Sequence, residues 1–439
     1  MSLPAALTWL QLLPNGTQFS CATGPAWFRE LLPHRNAGDA PPRATVLWDK
    51  SWSEIAGALE SWESVVAINC RQVTPAKLES AGYPYVRRFA VLPNLENARW
   101  FISLDSGKAA AASFSLYTPS RKSAHLKKAA AKLFARLRLP GWYRDEIVIA
   151  SRRPSPLETK LAELFANQTV RVALSSGAPE PAINRKPSAS VIDADGHVLA
   201  FVKIAASKVS REIVEHEAEI LAALAQHRHL QVDTPRLLFA GEVDGRYLTV
   251  QSPLEGTPAP AAWTSEHTAF LDALSSGPEK MAADTNMVAD LPQRLAAQPA
   301  LRDVFDAILP TLEQTKVKST IVHGDFAPWN LRTHNGKLSA FDWEYGDVDG
   351  LPLIDEIHFR LQLGLEMETW NLDAAVRFMH DMKHEAFDAE QIRAIQAVYL
   401  LDNLARLLGE GYSPEHEMVA LYQALLARLN ILKREAALV

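Results

Sequence analysis

The chain has 439 residues, 48% of them hydrophobic and 22% charged, with a formal net charge of -6 and a pI near 6.1. These values exclude a disordered or fibrous chain and a surface built throughout to grip nucleic acid, and the length suggests two or three structural units. Two cysteines, Cys21 and Cys70, exclude a disulfide framework and a thiolate-rich metal site, which fits a reducing cytoplasm.

The opening MSLPAALTWLQLLPNG is apolar but carries no Lys or Arg before Arg29, so it lacks the positive region of a secretory signal. No uncharged apolar run reaches the ~18 residues of a spanning helix, and the expected compartment is the cytoplasm. Residues 1–150 read as a mixed α/β region without an assigned role. RATVLWD (Arg43 to Asp49) and SVVAINC (Ser64 to Cys70) have the composition of strands around a helical SWSEIAGALESW, a β-α-β element. RWFISLD and AAASFSLYTP are expected as further strands. The region is rich in tryptophan, which core packing explains better than a stacking surface.

From Ser106 to Arg144 there is no Asp or Glu, while Lys127, Lys128, Lys132, Arg136 and Arg138 are among the positive residues. Leu126, Ala130, Leu133, Phe134 and Leu137 repeat at helical spacing, which predicts an amphipathic helix with a basic face near 121–138. Its basic face is either simply solvated or a contact for an anionic membrane or polyanionic glycan.

After the linker RRPSP, residues 160–254 are expected to form an antiparallel sheet. KLAELFANQ reads as a helix, RVALSS as a strand, and KPSASVID and HVLAFVKIA as strands joined at Asp195-Gly196. SREIVEHEAEILAALA follows as a helix with Ser210 as its N-cap, and RYLTVQS as another strand. Residues 255–439 turn helical, with helices expected near 264–275, 300–315, 371–383, 388–409 and 415–435.

Within that last region lies IVHGDFAPWNLRTHNGKLSAFDWEYGD, Ile321 to Asp347. Asn335-Gly336 is a strong hairpin signal, because both turn positions need positive φ. It pairs Leu331 to His334 with Lys337 to Phe341 and sets Asn330 opposite Phe341, so that Asn330 and Asp342 meet at one mouth of the hairpin. An amide oxygen and a carboxylate there are hard ligands of the kind Mg²⁺ takes alongside waters and phosphates. Asp325, upstream in the loop, is then free to accept a proton from a hydroxyl that receives a phosphoryl group.

The motifs H-G-D-x-x-x-x-N at His323 to Asn330 and F-D-W-E at Phe341 to Glu344 resemble the aminoglycoside phosphotransferase and choline kinase group. The fold this resemblance implies is α+β: a bilobal protein-kinase-like fold, with an antiparallel sheet N-lobe and a mostly helical C-lobe, here preceded by the extra N-terminal region. It implies an ATP- or GTP-dependent phosphotransferase with Asp325 as catalytic base, Asn330 and Asp342 on Mg²⁺, and His323 as a packing residue. Gly324 stands where protein kinases carry arginine, so control by activation-loop phosphorylation is not expected. Asp355 matches a downstream aspartate of structural role.

A site of this kind needs a strand lysine for the phosphates and a helix glutamate to hold it. Lys203 lies in the apolar AFVKIA, and Glu217 shares a helix stripe with Ile213, Ile220, Leu221 and Leu224. The phosphate loop SSGAPEPAINR departs from the Gly-rich pattern; Ser175, Ser176 and Gly177 are its candidates, with Lys186 beside them. In VQSPLEG the resemblance places the hinge, with Gln251 and Ser252 at the adenine. The expected acceptor is a small hydroxylated molecule, sugar-like or an amino alcohol, and no nucleic acid partner is expected. Other readings are a silent pseudokinase or scaffold, a kinase acting on a lipid-linked or polyanionic glycan, and a metal-dependent phosphoesterase. Oligomeric state is open.

Overall fold

The computed structural model describes residues 3–429 apart from 22, 33–42, 71, 117–121, 167, 179–183 and 228–231. The chain divides into two compact units, Met1–Glu215 with Leu237–Pro253, and His216–Arg236 with Leu254–Val439. Among the described residues no helix is long and apolar enough to cross a membrane.

The first unit is built on one sheet. Its strands are β1 (Gln18–Cys21), β2 (Arg43–Trp48), β3 (Ser64–Ile68), β4 (Tyr85–Leu92), β5 (Trp100–Ser103), β6 (Asp145–Ser151), β7 (Arg171–Ser175), β8 (Ser188–Ile192), β9 (Val198–Ile204), β10 (Leu237–Val243) and β11 (Arg246–Gln251). They lie in the order β1-β2-β3-β6-β4-β5-β7-β8-β9-β11-β10. The expected β-α-β element is present. β2 and β3 are parallel, and between them α2 (Trp52–Ile55), which follows α1 (Ala26–Leu31), opens on a Ser51/Glu54 capping box. From β7 to β10 every pairing is antiparallel, as the second region's sequence predicts.

The two sequence regions share this sheet. β5 pairs with β7, Trp100 opposite Ser175 and Phe101 opposite Leu174. A single apolar cluster joins Trp9, Phe28, Val66, Phe89, Val172, Val202 and Val250. The tryptophan expectation holds at Trp9, which is fully buried. Linker RRPSP leads into a helix, and residues 150 to 160 do not separate two cores.

Three local expectations are corrected. AAASFSLYTP is not a strand: after α3 (Pro75–Ser80), Ser106 caps α4 (Gly107–Ala112), and a 3₁₀ turn covers Ser113–Leu116. A run of alanines after a serine cap is a helix start, and alanine has the highest helix propensity. Ser210 lies inside its helix, α7 (Lys208–Gln226), whose start is tied by mutual bonds between Ser207 and Ser210. The basic helix forms as α5 (Lys122–Arg136), ahead of α6 (Pro156–Leu164), but its buried side is Ala135 while Leu126, Leu133, Phe134 and Leu137 are exposed. Arg121, inside the range expected for the basic helix, lies outside the described residues.

The second unit is mainly helical. It contains α8 (Ser265–Leu274), α9 (Asn286–Ala289), α10 (Leu291–Arg294), α11 (Pro299–Gln314), α12 (Ile354–Gln362), α13 (Leu372–Asp381), α14 (Ala389–Gly409) and α15 (Glu417–Arg428). The later helices fall where the sequence predicts, although the end expected for the last, at 435, lies outside the described residues. α14 is apolar on successive positions, Ala397, Val398, Leu400 and Leu401, and is buried accordingly. It shares one core with Phe305 of α11, Ile357 of α12 and Tyr422 of α15. Short strands complete the unit: β12 (Thr257–Pro258), β13 (Glu279–Met281), β14 (Lys316–Lys318), β15 (Thr320–Val322), β16 (Leu331–His334), β17 (Lys337–Ala340) and β18 (Asp347–Gly350).

Candidate active site

The predicted hairpin is present. Leu331 pairs with Ala340 and His334 with Lys337, Asn335 and Gly336 turn at φ of 50° and 73°, and the Phe341 N–H donates to the Asn330 carbonyl at 3.0 Å. Asp342 follows in the left-handed region at φ 73°, so the chain leaves the regular ladder at this residue. Asn330 and Asp342 therefore flank the same end of the hairpin, as its register requires.

Asp325 sits in the loop that joins β15 to the hairpin. The Asn330 amide donates to its Oδ2 at 2.8 Å and to its carbonyl at 3.0 Å. His358 Nε2 approaches its Oδ1 at 2.9 Å, and His358 Nδ1 lies 3.1 Å from the Tyr399 hydroxyl. A carboxylate only accepts, so His358 carries a proton on Nε2. Burial pushes Asp325 toward protonation, but the hydrogen bond from His358, with the Arg406 guanidinium adding to it, outweighs it, and its pKa falls below the ordinary value. The carboxylate remains 28% exposed, enough for a ligand to reach it.

The loop around it is held by buried groups. His323 is fully buried; its Nδ1 accepts from the Asp325 N–H at 3.2 Å and its Nε2 donates to the Phe341 carbonyl at 3.0 Å. Its role is packing and loop geometry, as expected. Asp355, at the start of α12, accepts from the His323 N–H at 2.7 Å and the Gly324 N–H at 3.0 Å. Burial raises Asp355 to about 6 against the pull of those two donors, so it is ionised at neutral pH. Gly324 has φ 78°, and a Cβ there would lie 2.0 Å from the Tyr345 carbonyl oxygen, so no other residue fits. Glu217, fully buried on α7, accepts from the Trp343 N–H at 3.1 Å and so fixes the segment just after Asp342.

Asp325, Asn330, Asp342 and Glu217 thus belong to one compact unit; Lys203, Ser175, Ser176, Gly177, Gln251 and Ser252 belong to the other. Lys203 lies on β9 opposite Ser188 and Thr249. Gln251 ends β11 with its Nε2 buried and without a hydrogen-bond partner among the described residues. Ser176 is a poor phosphate donor: its N–H goes to Arg99 O and its hydroxyl to Ala98 O, both at 3.0 Å. Gly177, at φ 83°, donates its N–H to Ser175 Oγ, and part of the loop beyond it lies outside the described residues.

The sequence reading missed His358 and Tyr399. The available signal was helical: His358 follows Asp355 by three residues on α12, so both face the loop that carries Asp325. Among the described residues no cluster of three or more His, Cys, Asp or Glu suits a metal ion. That leaves room for a Mg²⁺ held by one amide, one carboxylate, waters and phosphate oxygens. Asn330 suits that set, since its Nδ2 is committed to Asp325 and its Oδ1 is the remaining donor atom. A cavity of ≈ 500 Å³ in the same unit is lined by Trp263, Asp272, Glu279, Glu356 and Phe387, but Asp325 is not among its walls.

A reachable carboxylate oriented by two donors, beside an amide oxygen and a carboxylate at one end of a hairpin, is the arrangement that phosphoryl transfer to an alcohol needs. Residues 190–355 match the phosphotransferase enzyme family APH, which bears out the motif resemblance over that segment. The match takes in Lys203, Glu217 and the loop from His323 to Asn330. Similar solved structures include a thermostable mutant of aminoglycoside phosphotransferase APH(4)-Ia with ADP and hygromycin B, 16% identical over 63% of this chain and 99% of that one, TM-score 0.44. A putative fructosamine-3-kinase from Haemophilus somnus 129PT is 15% identical over 62% and 96%, TM-score 0.43. The GDP complex of wild-type aminoglycoside 2'-phosphotransferase-IIIa is 15% identical over 62% and 96%, TM-score 0.39. No curated protein matches the sequence.

Proposed function

We propose that this protein moves the terminal phosphate of a Mg²⁺-bound nucleotide, ATP or GTP, to a hydroxyl of a small sugar-like or amino-alcohol acceptor. The observation that carries the reading is the Asp325 carboxylate, fixed by Asn330 on one oxygen and His358 on the other. The acceptor hydroxyl donates to Asp325 while its oxygen attacks the γ-phosphorus. The bond from that phosphorus to the bridging oxygen breaks, and the nucleoside diphosphate leaves with the electron pair. Because the pKa of Asp325 is depressed, it orients the hydroxyl first and takes the proton late, once the new P–O bond has made that proton acidic.

Asn330 and Asp342 would hold Mg²⁺, which would neutralise charge on the phosphate oxygens. Lys203 is assigned to the nucleotide phosphates, Gly177 and Ser175 to the loop that covers them, and Gln251 and Ser252 to the base. The orphaned Gln251 Nε2 supports a polar ligand at that point.

The test is purified protein with Mg-ATP or Mg-GTP over a panel of hydroxylated metabolites, with the product identified by mass spectrometry. Transfer to one acceptor class, lost in Asp325→Ala, is the expected result. Transfer that survives Asp325→Ala, or its absence with every acceptor and both nucleotides, refutes the reading.

A further inference from the structure

α5 is turned the opposite way from an ordinary surface helix. Ala135 is 2% exposed and packs in a small cluster with Ala90, Ile102, Ala110 and Phe114. Leu126 is 75% exposed, Leu133 54%, Phe134 42% and Leu137 59%, and Leu139 just beyond is 41% exposed. At about 100° per residue, Leu126, Leu133, Phe134 and Leu137 form one continuous stripe, opposite Ala135. The large apolar residues that a helix ordinarily buries therefore point to solvent.

Charge decides what the stripe suits. Lys127 and Arg136 border it on either side, Lys132 and Arg138 are exposed nearby, and no Asp or Glu occurs from Ser106 to Arg144. A second copy of this helix would bring like charges against like along the whole contact, which opposes self-association. An anionic lipid surface satisfies both features. Leucine and phenylalanine enter the boundary between headgroups and acyl chains, and Lys and Arg, on long apolar stems, reach the headgroup phosphates and carboxylates. The neighbouring structure supports the helix in this pose: at Gly107 on α4 a Cβ would lie 2.1 Å from the Arg136 carbonyl oxygen, so α4 and α5 touch backbone to backbone.

We propose that α5 docks this protein on anionic membrane surfaces, with Leu126, Leu133, Phe134 and Leu137 inserted and the flanking Lys and Arg on the headgroups. This inference stands on α5 alone and does not depend on the phosphotransfer reading.

The experiment is co-sedimentation of the full chain with vesicles of phosphatidylcholine alone or mixed with phosphatidylserine. Salt titration, light scattering and a soluble polyanion, heparin, complete it. Binding is expected only to the mixed vesicles, weakening as salt rises. Lys127→Ala and Lys132→Ala should each weaken it about fivefold. Leu133→Ser and Leu137→Ser should each weaken it about tenfold or more, with the thermal transition unchanged because both side chains are exposed.

Binding to neither vesicle, equal binding to both, or binding indifferent to Leu133→Ser and Leu137→Ser with the fold intact overturns the proposal. So does self-association abolished by those substitutions without any vesicle binding, or binding to heparin alone.

Discussion

Asp325 accepts two side-chain hydrogen bonds that do different jobs. Asn330, five residues on, also fixes the backbone of the same loop, whereas His358 arrives from α12 and brings Tyr399 behind it. Asp325→Ala removes the proposed proton acceptor, and kcat is expected to fall about a thousandfold with nucleotide affinity kept, as measured by steady-state rates and nucleotide titration. His358 acts through Asp325 and is a positioning residue. His358→Ala should lower kcat by about ten- to a hundredfold and leave the nucleotide KM unchanged. His358→Gln, which can still donate from Nε2, should recover most of the loss; if it behaves like the alanine variant, the hydrogen bond is not what matters. The aspartates and Asn330 were legible in the sequence because one hairpin with an Asn-Gly turn sets their spacing. His358 was not, because its partner lies 33 residues away and only the tertiary path of α12 joins them.

Two glycines in and before the hairpin have positive φ for different reasons, and substitution separates them. Gly336 has φ 73° and nothing within 4 Å of an added Cβ, so Gly336→Ala should cost only ~1–2 kcal/mol in urea unfolding. Gly324 has nearly the same φ, but its Cβ would clash with the Tyr345 backbone, so Gly324→Ala should abolish activity and lower stability by more than Gly336→Ala.

Helix α8 offers a pH test. Its Thr264 N–H donates to His267 Nδ1 at 3.1 Å, and burial lowers His267 to about 4 from an ordinary 6.5. Below pH 6.5 the unfolded chain takes up a proton that the folded chain refuses until about pH 4. Stability should therefore fall as pH drops through that window, by up to ~3 kcal/mol. His267→Gln keeps the capping-box pattern without the titrating group, so its unfolding midpoint should depend less on pH there, whatever its absolute stability.

Elements with strong periodicity or turn signals were readable. β4, β6 and β10 were not identified. β4 and β6 lie inside the sheet and take their strand character from partners distant in sequence, such as Phe89 opposite Ile147.

At the scale of the molecule, the sequence pointed to a boundary after residue 150 because RRPSP looks like a linker and the family motifs begin beyond it. The structure places no break in the core there. β7 takes β5 on one side and β8 on the other, and the cluster containing Val172, Val191 and Val202 also contains Trp9, Val46 and Phe101. Sequence pattern reports which residues are apolar, but not which sheet they complete, and a shared sheet is a long-range property. A chain begun at Ser155 would therefore lose β1 to β6, open the β7 edge along Leu174 and Ser175, and leave one side of that cluster without its cover. An unpaired edge beside exposed core residues is an aggregation template. The truncated protein is expected to be insoluble or to elute in the void volume of a size-exclusion column, while the full chain elutes as a discrete species. If it instead runs as a monomer and keeps a nucleotide-dependent thermal shift, β7 to β11 form a self-sufficient sheet and the N-terminal strands are an addition to it.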